Sequence, residues 1–206
     1  MASERVSRQR LPVWAALLIF FVVLTIGSVS AMAFSWLMLA RQIVIDINVP
    51  EKMQATAQKI AQFPQPLPEG YKYLMAANFE IMQCMVIEHE QSGQQIAFYS
   101  LPGPTTEKDS KIFLDRAFEA GINTTYLAAK FHEVKSNGTI PLLGQQMNYL
   151  LGEFTDLSTN HKGDGFVATI GLNKAAKNIL IYSYPVRDHA YNQQVTMNLL
   201  NSLKGF

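Results

Sequence analysis

YKYLMAANFEIMQCMVIEHEQSGQQIAFYSL, residues 71–101, reads as three successive β-strands. Residues 71–77 make the first. Phe79 and Glu80 lead into the second, 81–90, which stops before the Ser92, Gly93 turn, and 96–101 returns as the third. The argument rests on β-branched and aromatic content bounded by turn residues rather than on perfect alternation. Pro102, Gly103 and Pro104 then break the sheet. Thr106 follows as an N-cap with Asp109 at the reciprocal capping position, opening a helix that runs to about Ala120. Leu114, Ala117 and Phe118 form its apolar side, and Gly121 suits its C-terminal end.

A second β-rich half follows on the C-terminal side. Residues 125–135 read as a strand, Ser136, Asn137 and Gly138 as a turn, and 145–154 as the returning strand. After a polar loop at 158–165, residues 166–172 and 178–184 form another pair. Asp188 is placed to cap a last helix carrying Tyr191, Val195, Leu199 and Leu203 at four-residue spacing. Apolar helix stripes and one sheet face all need cover, which makes 71–206 an α+β domain: a mainly antiparallel sheet packed with two or three helices.

On the N-terminal side, Pro64, Pro66 and Pro68 form a stiff strap, because fixed torsions and missing donors oppose a helix. Before it, Pro50 opens PEKMQATAQKIAQF, in which Met53, Ala57, Ile60 and Ala61 share one helical face. That face either docks on its own domain or meets a partner, which makes Met53, Ala57 and Ile60 candidate partner contacts. Residues 41–70 are thus read as a juxtamembrane helix and proline-rich strap. The reason for "juxtamembrane" is LPVWAALLIFFVVLTIGSVSAMAFSWLMLA, residues 11–40, which carries no charge in thirty positions. As a helix it would reach about 45 Å, beyond the ~30 Å of a bilayer's hydrocarbon. It reads as a retained signal-anchor and single-pass transmembrane helix, with a cleavable signal peptide as the rival. Arg5, Arg8 and Arg10 make residues 1–10 a basic cytoplasmic tail, so the C-terminal domain is expected on the periplasmic or extracellular side.

Composition narrows the chemistry. Residues 50–206 hold 13 basic and 14 acidic side chains, a formal net charge of −1. No Lys/Arg cluster of the kind that neutralises phosphates is present, so nucleic acid is not an expected partner. The single cysteine, Cys84, rules out an intrachain disulfide and any multi-thiolate metal site. It reads as a small hydrophobe on a strand.

The four histidines, His89, His132, His161 and His189, show no i+3 or i+4 pairing, so no metal is expected. A site built from His89 and His132 on neighbouring strands, or a Cys84–histidine pair, is conceivable only if the fold supplies the geometry. No GxSxG frames a serine, and no GxGxxG or GxxxxGK cradle exists for a nucleotide, so no cofactor is expected. HKGDG, residues 161–165, reads as an exposed polar loop, with His161, Lys162 and Asp164 as candidate contacts. NTT at 123–125 and NGT at 137–139 fit the N-glycosylation pattern.

These readings lead to an expectation of a membrane-anchored accessory or scaffold protein. Its outer domain would dock onto or stabilise another envelope membrane protein, with the lipid bilayer held through 11–40. A tethered small-ligand or lipid-binding domain is the second reading. A hydrolytic or metal-dependent enzyme is the third.

Overall fold

In the structure, a computed structural model, residues 49–78, 82–102, 107–123, 128–157, 160–172, 177–186 and 189–206 are described. Their strands are β1 (Tyr71–Asn78), β2 (Gln83–His89), β3 (Gln94–Pro102), β4 (Ile122–Asn123), β5 (Ala128–Leu142), β6 (Gln145–Asp156), β7 (Lys162–Leu172) and β8 (Lys177–Pro185). Their helices are α1 (Pro50–Ile60), α2 (Glu107–Ala120) and α3 (Gln193–Asn201). One antiparallel sheet runs in the order β1-β2-β3-β8-β7-β6-β5-β4, seven full strands plus the two-residue β4. The chain lays down the β1–β3 meander and crosses the sheet through α2 to the far edge. It then returns strand by strand until β8 pairs with β3 over nine residues, Gln94↔Pro185 to Pro102↔Lys177.

Period-two alternation sorts the side chains onto two covered faces. Met85, Ile87, Ile96, Phe98, Phe166, Ala168, Ile179 and Ile181 face α1 and α3, where Ala57, Ile60, Val195, Leu199 and Leu200 meet them in the main core. Phe63 of the strap seals that side edge-on against Phe98, with ring centroids 5.6 Å apart. The opposite face receives α2. Tyr182 there packs against Phe131 and Tyr99, and its hydroxyl donates to the Ala117 and Gly121 carbonyls at 2.9 and 3.2 Å. Those carbonyls belong to the C-terminal end of α2, where helix acceptors run out of partners. Tyr182→Phe is accordingly expected to cost about 1 kcal/mol and to lower the thermal midpoint by roughly 2–4 °C. An unchanged midpoint would show that the phenol caps nothing.

A buried polar cluster pins α3 to the sheet. The Gln94 amide nitrogen donates to Ser183 Oγ (3.1 Å), Thr196 Oγ1 (2.8 Å) and the Asn192 carbonyl (3.1 Å), and its oxygen accepts from Asn192 N–H (2.9 Å). Asn192, not Asp188, is the N-cap, its side chain accepting from Gln194 N–H. Asp188, Thr106 and the NTT stretch from 124 lie outside the described residues.

Several expectations are corrected. Among the described residues no helix is long and apolar enough to cross a membrane. The longest, α2, has 14 residues, about 21 Å at 1.5 Å per residue, short of the ~30 Å needed. Residues 11–40, on which the transmembrane reading rests, lie outside the described residues. The described residues form an α+β domain, and none of its helices spans a membrane. The single-pass signal-anchor, the cytoplasmic N-terminus with a periplasmic or extracellular domain, the bilayer contact and the docking onto an envelope membrane protein do not carry forward.

Two loops are also redrawn. Ser136, Asn137 and Gly138 do not turn. They stay in β5, paired with Leu151, Leu150 and Tyr149, and the chain reverses instead at Leu143 and Gly144. Residues 162–165 belong to β7 rather than to a loop.

Candidate functional site

Where α1 begins, the strap passes and β1 starts, an open groove of about 480 Å³ forms. Pro50, Met53 and Gln54 supply one wall, Gln65, Pro66 and Leu67 the second, and Tyr71, Lys72 and Tyr73 the third. Each wall follows from local sequence. Pro50 sits in the first turn of α1, where a missing N–H costs nothing and its fixed torsion suits the helix. Prolines then keep the strap out of helical conformation so that it lies along the sheet edge. Tyr71 and Tyr73, two apart on a strand, point to one side, and β1 is an edge strand.

Polar groups hold these walls in place. Tyr71 OH donates to the Val195 carbonyl of α3 at 2.6 Å, and Gln65 Nε2 donates to Tyr73 OH at 3.0 Å. Burial pushes both phenols above their ordinary pKa; for Tyr73 the bonds from Gln65 and Gln58 oppose this in part. Both rings therefore stay neutral over the physiological range and offer the groove an apolar body with a polar tip. Lys72, between the two tyrosines, turns its side chain to the other face of β1, where its Nζ lies 3.3 Å from Glu90 Oε1 and 4.0 Å from Glu88 Oε2. These are exposed pairs of small energetic weight.

The residues singled out from sequence are distributed as follows. Of the α1 stripe, Met53 lines the groove, whereas Ala57 and Ile60 are 0% and 1% exposed under their own sheet. Asp164, at the start of β7, is held by Lys135 Nζ at 2.6 Å, and the same ammonium reaches Glu153 at 3.0 Å. Lys162 pairs in register with Thr155, and the His161 ring lies edge-on to Phe154.

His89 and His132 sit on β2 and β5, five strand spacings apart, roughly 24 Å. Each has a local partner, Ser92 Oγ at 2.9 Å and Thr155 Oγ1 at 2.8 Å respectively. Among the described residues no three His, Cys, Asp or Glu side chains come together as a metal-holding group. Ser92 with His89 has the spacing of a nucleophile and base. Its oxygen also accepts from Gln94 N–H at 3.3 Å, and the pair sits within one hairpin turn, which is what a turn-stabilising serine does. Cys84 is buried on β2, and burial pushes its thiol up to about 11, so it is almost wholly protonated at neutral pH and a poor nucleophile.

Sequence reasoning missed Tyr71, Tyr73, Gln65 and Lys72 as site residues. A signal existed: two tyrosines on one strand face, directly after a proline strap. Searched against protein-family models and against curated proteins, the chain matches none.

Proposed function

We propose that the chain is a binding protein whose groove between α1, the strap and β1 takes a short extended peptide segment of a partner protein. The observation that carries this reading is the groove itself. Its volume falls in the range of ligand sites, and its lining is mostly apolar and aromatic with the two glutamines Gln54 and Gln65 among it. Being open along an edge strand, it suits an elongated occupant better than an enclosed small molecule. Tyrosine and proline surfaces are what extended and proline-containing segments dock against. Tyrosine also brings large contact area at low conformational cost.

The test is to select binders from a random twelve-residue peptide library with the full chain, then to measure dissociation constants against Met53→Glu. A charge at the groove wall is expected to weaken binding tenfold or more, and because Met53 also packs partly against the main core, affinities are compared well below the thermal midpoints of both proteins. Selected peptides that bind Met53→Glu as tightly as the parent, or a library that yields no binder, would overturn the proposal.

A further inference from the structure

Along 63–69, among the described residues, the one backbone–backbone hydrogen bond from the strap that walls the groove to another element is a local one, Tyr71 N–H of β1 donating to Pro68 O at 3.1 Å. Its backbone is fixed to other elements at its two ends. At one end Gly70 O accepts from Glu90 N–H at 2.8 Å, which ties it to the β2–β3 hairpin. At the other, Gln62 forms an antiparallel bridge with the C-terminal tail: Gln62 N–H donates to Gly205 O at 2.7 Å, and Lys204 N–H donates to Gln62 O at 2.8 Å. Gln62 is the second residue past α1, so this bridge sets the direction in which the chain leaves the helix. The tail is seated in turn by Leu203, buried, and Phe206, partly buried against the main core.

The two anchors differ in kind. The hairpin is part of the sheet, whereas the tail follows α3 and can leave without breaking a strand pair.

From this asymmetry we infer that the C-terminal tail, 203–206, is a latch that fixes the strap and thereby preorganises the groove. The inference rests on the groove being the binding site, as proposed above. With the latch closed, the wall formed by Gln65, Pro66 and Leu67 is held before an occupant arrives, so binding does not have to order it. With the latch open, the same wall is tethered at its Pro68–Gly70 end and through side chains, and an occupant must order the rest of it first. The coupling is reciprocal: an occupied groove holds the tail closed by the same factor that a closed tail tightens the groove.

Lys204→Pro tests this with little else disturbed. The Lys204 side chain is exposed, and proline removes the N–H that Gln62 O needs while keeping Leu203 and Phe206. Two readouts separate the latch from the groove. Amide hydrogen exchange on the full chain should show Gln62 losing protection roughly tenfold, with β2, β3 and β8 unchanged. Affinity for the selected twelve-residue peptide should fall about tenfold, with the loss in Gln62 protection reversed at saturating peptide. Unchanged exchange at Gln62 would refute the latch whether or not peptides bind. Equal loss of protection in β3 and β8 would also refute it, by making the tail part of the global core. Lost Gln62 protection without any change in peptide affinity would leave a mobile tail that regulates nothing, and the inference would fall on that result too.

Discussion

Replacing Gln94 by leucine is expected to destabilise the protein by about 3 kcal/mol and to lower its thermal midpoint by roughly 6–12 °C. The side chain has no solvent exposure and is the hub of four hydrogen bonds, joining β3 to Ser183 on β8 and to the first turn of α3. Ser183 and Thr196 hydroxyls retain each other at 2.8 Å when Gln94 is lost, which limits the damage. Asn192 keeps less: its C=O still accepts from Val195 N–H at 3.1 Å, but its N–H loses the Gln94 oxygen. An unpaired donor or acceptor near the core costs the full desolvation of that group, more than the bond was worth in water. Gln193→Leu, an exposed position one residue into α3, is the comparison and should change stability by less than about 0.5 kcal/mol. Similar midpoints for the two variants would mean that α3 is held by its apolar stripe alone.

The strands most legible from sequence are those with local content that matches their surroundings. β2, β3, β7 and β8 carry Met85, Ile87, Ile96, Phe98, Ala168, Ile170, Ile179 and Ile181 into one core, and that density of apolar residues at period two survives any tertiary detail. What failed was the reading of glycine as a turn signal. Gly138 lies beneath the Tyr149 ring, where an added Cβ would sit 2.8 Å from Cε1, and Gly165 gives the same room to Phe131 at 2.9 Å. Both glycines are in strands to leave room for an aromatic ring, from the adjoining β6 at Gly138 and from β5, two strands over, at Gly165. Such a need depends on a residue more than ten positions away and leaves no mark in a local window.

The real reversal uses Leu143 at φ 52° and Gly144 at φ 76°, two consecutive left-handed residues joining Leu142 to Gln145. That pair of torsions defines a tight hairpin turn normally marked by Asn-Gly or Asp-Gly. Leucine in the first place hides it. The candidate site was half legible for a similar reason. The apolar face of α1 could be read from Met53, Ala57 and Ile60. Its division into a buried part and a groove part depends on how far α1 overhangs β1, which is a property of the packed sheet.

Gly152→Ala is expected to cost about 3 kcal/mol, although it adds a single methyl group to a position on β6 where strands ordinarily welcome a side chain. Gly152 pairs with Val134 between two irregularities in β5, one on each side of Val134. The irregularities turn the Glu133 carbonyl inward, so that an added Cβ would run into that backbone oxygen and would lie 2.7 Å from Phe118 Cζ of α2. Neither obstacle yields cheaply. The carbonyl belongs to a paired strand, and the Phe118 ring is 5% exposed, with the Phe131 ring 5.2 Å away. Gly144→Ala separates this packing cost from the conformational cost of losing a glycine. Gly144 has φ 76°, which alanine adopts with strain, but nothing lies within 4 Å of its added Cβ, so about 1 kcal/mol is expected there. A double variant, Gly152→Ala with Phe118→Leu, should be no better than Gly152→Ala alone, since the backbone oxygen remains in the way and a buried ring has been lost. Chemical denaturation midpoints of the three proteins decide the matter: if the alanine at 152 costs no more than the one at 144, β5 can relax around the new methyl group and the irregularities beside Val134 are soft. If it costs threefold more, the close approach of β5, β6 and α2 at this glycine is what fixes α2 over the sheet.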